Sequence, residues 1–246
     1  LLGRYSARIK RGDANVAVAR YAATATFCFG KWAMGGKITA LRVQKRNRRR
    51  VNVYLDGRYA FSLTLIEAAK LKHGQVLSDE EIARLRQQDA VERAHERALR
   101  FLSYRPRSRA EVERYLQDKG VPPEDVAQVL ERLSRVGLIN DEEFARFWVS
   151  NREQFSPRSP YALRRELRQK GVPEEIIAQA LAEVDEEKSA YRAAQKRYRR
   201  WAGLDYDTFR RKLGDYLVRR GFSYEVVRSV VERIWRENSG SQDNNG

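Results

Sequence analysis

Asp141, Glu142 and Glu143 stand side by side, and adjacent carboxylates are what general acid–base chemistry or a bound cation would require. Their flanks point to a structural task instead. Asn140 can cap a helix that starts there, and Glu143 can close the capping box. His73, His95 and the single cysteine, Cys28, are scattered too widely for a zinc site. No Ser-His-Asp, Cys-His or HExxH pattern occurs. Gly30, Gly35, Gly36 and Lys37 suggest a phosphate loop, but Gly36 follows Gly35 where lysine is required, and Ile38 replaces the hydroxyl residue. The chain therefore reads as a non-enzyme, with no catalytic residue, no metal and no cofactor.

What remains is charge. The formal net charge is +16, which favours a polyanionic partner: DNA, RNA, an acidic protein or an anionic membrane. The plainer alternative is a soluble protein with arginines spread over its helix faces. The excess is uneven: +5 over residues 1–35, +7 over 36–88, +1 over 89–140, −3 over 141–186 and +6 over 187–246. A simple nucleic-acid groove would be basic throughout, whereas basic ends around a near-neutral middle suit a long clamp on a mixed protein–DNA surface. Lys45, Arg46, Arg48, Arg49 and Arg50 crowd one strand connection, and so many cations must project into solvent or onto a polyanion. Further candidate contacts are Arg105, Arg107, Arg109 and Lys119, then Arg152, Arg158, Arg164, Arg165, Arg168 and Lys170. The last group is Lys196, Arg197, Arg199, Arg200, Arg210, Arg211, Arg219 and Arg220. Tyr198 and Trp201, interleaved with these cations, are assigned to the core rather than to base stacking. No apolar run reaches the roughly 18 residues of a membrane span, so no membrane partner is expected. A lone cysteine suits a reducing compartment.

The elements that position these cations follow from periodicity. Residues 37–65 carry the strand signal: KITALRVQ and VNVYL, then a turn at Asp56-Gly57 and RYAFSLTL. A two-residue loop would pair Val53 with Ala60 and split the apolar set. A bulged three-residue loop places Val51, Val53, Tyr59, Phe61 and Leu63 on one face. A helix over about 65–71 follows, and Ser78 with Glu81 opens the next one through a capping box. Met34, the only methionine, is read as the natural start. Residues 1–35 are assigned to a disordered or non-native extension; a signal peptide fits poorly because Arg20 interrupts the apolar stretch.

Beyond residue 90 the pattern is helical and repeats. LQDKGVPPEDV at 116–126 returns as LRQKGVPEEII at 167–177, and nine of the 18 positions from Leu116 and Leu167 onward are identical, far above chance. A worn third copy, LVRRGFSYEVV, places its glycine at 221. Each phrase is read as a joint. Val112 and Leu116, with their counterparts, form the stripe of one helix, and the glycine ends it in the left-handed conformation. The following apolar residue folds back, and the next helix is apolar at Val126, Val129, Leu130 and Leu133 and at the matching later positions. A further helix precedes each pair, with stripes at Ala94, Ala98, Leu99 and Leu102, at Phe144, Phe147 and Trp148, and at Tyr191, Ala194, Tyr198 and Trp201. Lys119 and Lys170 are expected to face outward. The expected organisation is mainly α: a β-hairpin/α unit over 36–88, three-helix repeats over 89–138, 139–186 and 187–236, and a disordered tail over 237–246.

RALRFLSYRPRSRAEVERYLQDKGV, GLINDEEFARFWVSNR and SPRSPYALRRELRQKGV resemble the RecX family, regulators of the bacterial RecA recombinase; with the worn third copy the likeness spans about 90–236. Residues 37–88 resemble the N-terminal extension of longer members. The resemblance implies an elongated, curved array of three-helix repeats. It implies a cytoplasmic monomer, acting in DNA repair, recombination and the SOS response. Such a protein would lie in the groove of the RecA filament on single-stranded DNA and inhibit the recombinase, ATPase and co-protease activities, or promote filament disassembly. The family lends no catalytic residues. The rival reading is a DNA-binding protein of helix-turn-helix-like repeats without a recombinase partner; for that role the exposed Gln128, Arg132, Gln179, Arg228 and Arg233 are a thin set.

Overall fold

The computed structural model describes residues 35–239. The readings of Met34 as a start, of the extension before it, of Cys28 and Gly30, and of the tail from residue 240 lie outside these residues. The chain divides into two compact units, one through Glu92 and one from Arg93.

The first unit is a four-stranded antiparallel sheet in the order β3-β2-β1-β4, built from β1 (Gly36–Val43), β2 (Arg50–Leu55), β3 (Arg58–Thr64) and β4 (Val76–Leu77). The turn between β2 and β3 differs from the expected three-residue loop. Asp56 and Gly57 both have positive φ, 46° and 80°, and form a two-residue turn whose twist matches the strands. The register is corrected one step further along, where pairing jumps from Tyr54–Tyr59 to Val53–Phe61 and leaves Ala60 as a bulge. That slip sets Val53 against Phe61 and Val51 against Leu63, all four buried. Tyr59, expected on the same face, is 55% exposed and meets the edge of Tyr54 instead. Ile38, Leu55, Leu77, Ala68 from the short helix α1 (Leu65–Ala68) and Ile82 complete this core. Ser78 and Glu81 make the reciprocal capping bonds, 3.2 and 2.7 Å, that start α2 (Asp79–Leu102).

The second unit is helical throughout among the described residues. After α2 come α3 (Arg109–Asp118) and α4 (Pro123–Arg135). The next three are α5 (Asp141–Phe155), α6 (Pro160–Gln169) and α7 (Glu174–Leu181). Then follow α8 (Glu186–Gln195), α9 (Tyr206–Val218) and α10 (Tyr224–Ser239). The second and third repeats each wrap their own core. In the second, Phe144, Val149, Leu163, Leu167, Ile177 and Leu181 are buried together, and in the third, Phe209, Leu213, Leu217, Val230, Val231 and Ile234. A fully buried leucine or phenylalanine contributes about 1.5–3 kcal/mol relative to exposure, so these stripes carry the fold. Two stripe residues depart from expectation: Leu99 and Phe147 are 38% and 43% exposed. Around α5 the buried set is Phe144, Ala145 and Val149, which places Phe147 on the rim. The third repeat also departs. Its first helix ends at Gln195, a single 3-10 turn (Tyr198–Arg200) follows, and α9 begins a turn earlier than its counterparts, capped by Asp205.

Candidate functional site

The phrase ends its helix as the residues predict. Gly120, Gly171 and Gly221 have φ of 73°, 74° and 88°. The residues after them, Val121, Val172 and Phe222, donate back to Leu116, Leu167 and Leu217 at 3.1, 3.2 and 3.4 Å. The tertiary structure gives two of these glycines a second task. A Cβ on Gly171 would stand 2.4 Å from Ala110 Cβ, and one on Gly221 would stand 2.7 Å from Ser159 Oγ. Gly120 has open space there. Each later phrase is thus seated on the start of the middle helix in the preceding repeat.

At the first joint, Ser108 caps α3, is fully buried, and donates its hydroxyl to the carbonyl of Lys170 at 2.5 Å. Glu111 closes the capping box and also accepts from Lys170 Nζ at 2.7 Å and from Arg105 at 2.9 and 3.1 Å. Arg109 N–H donates to Asp141 Oδ1 at 2.8 Å, so the acid that suggested catalysis ties one repeat to the next. At the second joint no carboxylate takes the place of Glu111 beside the phrase glycine. Ser159 N–H donates to the Arg220 carbonyl at 3.2 Å, and Arg220 donates to Ser156 Oγ and Pro157 O at 3.1 and 2.8 Å. Glu153 links α5 to α8 through Ser189 at 2.7 Å and Arg192 at 3.2 Å, and Lys196 donates to the Gln154 carbonyl.

Burial alone pushes the Glu111 carboxyl up, but the hydrogen bonds from Arg105 and Lys170 outweigh it and hold the group at about 2. Asp141 is pushed above its ordinary value by burial, against the pull of Arg109. Burial, and then the neighbouring Arg105, lower Arg107, while Glu111 acts in the opposite sense.

The candidate cations separate into structural and open ones. Lys45, Arg46, Arg48 and Arg49 are exposed at the β1–β2 tip. Arg50 is not: it pairs with buried Asp89 at 2.9 Å and donates to Ser62, a correction to the expectation that all five project. Lys170, expected to face outward, is held by Glu111 and lies 5.1 Å from the Trp148 ring centre. Lys119 and Arg220 also stand over rings, Tyr115 at 5.8 Å and Tyr216 at 4.7 Å, so the cation before each phrase glycine has an aromatic neighbour in every copy. Arg152 and Arg158 pair with Glu166, Arg105 with Glu111, and Arg109 donates to Ser134. Arg164 and Arg168 share Glu174 at 3.4 and 2.7 Å, and the Arg168–Glu174 hydrogen bond raises the arginine and lowers the acid. Arg165, Arg197, Arg199, Arg200, Arg210, Arg211 and Arg219 are exposed and have no ion-pair partner among the described residues. Tyr198 and Trp201 pack against the third core, and Trp201 meets Tyr216 edge-on at 6.0 Å.

Fold and joints together define a class: a tandem helical-repeat protein with many exposed cations. Family models match the chain at four places: residues 36–78, "Regulatory protein RecX N-terminal domain"; 94–133, "RecX, first three-helix domain"; 140–181, the second; and 185–231, the third. The chain belongs to the RecX family of regulatory proteins. It is 35% identical over 206 residues to Regulatory protein RecX of Bacillus subtilis, covering 82% of this chain and 78% of that one. It is 30% identical to the Listeria monocytogenes counterpart, with 82% and 77% covered. A crystal structure of regulatory protein RecX superposes with a TM-score of 0.62 at 30% identity, covering 80% of this chain and 99% of that one. The crystal structure of RecX from Lactobacillus salivarius gives 0.52 at 25% identity, with 59% and 97% covered. No described helix is long and apolar enough to cross a membrane.

Proposed function

We propose that this chain is a non-enzymatic modulator of RecA recombinase that docks as a monomer in the groove of the cytoplasmic RecA–single-stranded DNA filament and inhibits recombination, ATP hydrolysis and co-protease action. The observation that carries the reading is the jointed array itself. Each repeat is locked in register to the next through a phrase glycine, and open cations occur at the hairpin tip and on the third repeat. Such an array can lay several small contacts along a periodic surface. The rival helix-turn-helix reading is weaker, because Arg228 and Arg233 of its presumed reading helix pair with Glu232 and Glu237. The deciding experiment adds purified protein to RecA–single-stranded DNA–ATP filaments and follows ATP hydrolysis and strand exchange. Both should fall at sub-stoichiometric to equimolar protein; unchanged rates would sink the reading.

A further inference from the structure

In the first repeat the Arg107 guanidinium lies 4.0 Å from the centre of the Phe101 ring. Phe101 stacks face to face on Tyr115, with 4.1 Å between centroids and 5° between planes. Arg107 Nε is buried without a hydrogen-bond partner, and Arg107 has no ion pair among the described residues. The carboxylate that acts electrostatically on Arg107, Glu111, is already shared by Arg105 and Lys170. A guanidinium already seated over a ring loses less freedom when it meets an anion than one free in solvent.

The second repeat shows what belongs there. Fifty-one residues on, Arg107, Phe101 and Tyr115 become Arg158, Arg152 and Glu166. The Glu166 carboxylate lies 3.0 Å from Arg158 Nε, an ion pair rather than an aligned hydrogen bond, and 2.8 Å from Arg152 Nε. It also accepts from the Trp148 indole at 2.8 Å. Repeat 2 therefore supplies its own anion where repeat 1 has an aromatic ring.

We propose that Arg107, seated on Phe101 and flanked by Arg105, is an anchor for a carboxylate on an acidic segment of a partner protein, the part that Glu166 plays internally in repeat 2. A protein acid is favoured over a nucleic-acid strand on two grounds. The internal occupant is a carboxylate. Arg107 and Tyr115 take the two faces of Phe101, so no base can stack on that ring. Arginine beside aromatic rings is also the composition of protein-interface hot spots.

The inference rests on the filament reading only for which protein supplies the acid, and its test contains no recombinase, so the two can fail separately. Fluorescent oligoglutamate and fluorescent oligothymidylate are titrated onto the full chain, its Arg107→Gln and Glu166→Gln variants, and Arg165→Gln, which removes one open charge elsewhere. At equal helicity, Arg107→Gln should weaken oligoglutamate binding about tenfold and Arg165→Gln by no more than about twofold. Both should change oligothymidylate binding equally, and Glu166→Gln, which releases Arg152 and Arg158, should tighten oligoglutamate binding. Equal losses of oligoglutamate in the two arginine variants overturn the proposal. So does a loss of oligothymidylate in Arg107→Gln as large as its loss of oligoglutamate, which would make the site one for phosphate.

Discussion

Glu111 shows how one side chain can serve two levels of structure. Its carboxylate closes the capping box of its own helix and holds Lys170 of the next repeat. The folded group titrates near 2, below its ordinary 4.5, so the folded state resists the proton. Its contribution is complete above about pH 4.5 and fades as pH falls toward 2. Thermal melts between those values should therefore show a steeper loss of stability for the parent than for Glu111→Gln, in which residue 111 no longer titrates. Parallel curves would mean that Glu111 does not hold the joint. Arg50 is the matching case in the first unit: five consecutive-looking surface cations conceal one whose partner, Asp89, lies 39 positions along the chain.

At the scale of elements, the phrase glycines separate a local from a tertiary requirement. All three sit at positive φ, so alanine at any of them costs about 1 kcal/mol of backbone strain. At Gly120 that is the whole penalty, because its Cβ would meet nothing. At Gly171 the added methyl must also displace Ala110, which prises the first joint apart. Urea unfolding should thus rank Gly171→Ala below Gly120→Ala in stability, and equal midpoints would argue against a glycine-mediated joint. Gly214 lies inside α9 without a positive φ, and its Cβ would make only an ordinary contact, 3.7 Å from Val227. Gly214→Ala should stabilise the chain by about 0.5–1 kcal/mol, read as a raised melting temperature.

Across the whole molecule, charge separates into groups that hold the array and groups left over for a partner. Arg164 and Arg168 share Glu174, whereas Arg210 and Arg211 have no ion-pair partner among the described residues. On the proposed function, neutralising Arg210 and Arg211 together should reduce RecA inhibition and flatten its salt dependence more than neutralising Arg164 and Arg168. The reverse order, measured as ATPase inhibition across a salt series, would move the contact face to the second repeat.

The glycine phrases, most of the apolar stripes and the caps at Ser78 and Asn140 were legible in the chain because helix ends and amphipathic faces depend on residues within a few positions of one another. So was the tandem order, since repetition is a property of the sequence alone. The shared face of Val51, Val53, Phe61 and Leu63 was legible from alternation, but the extra residue sits at Ala60 in the strand beyond a two-residue turn rather than in the loop itself, because Asp56 and Gly57 both adopt positive φ. Which cations are open was hidden for a different reason. Asp89 reaches Arg50, Glu111 reaches Lys170, and Glu166 reaches Arg152 and Arg158 only after the helices pack. A charge count cannot foresee those partners, since proximity across a joint is set by the packing of cores whose residues are far apart in sequence. The chain by itself determined that there would be three jointed units; the tertiary structure decided which charges the joints consume.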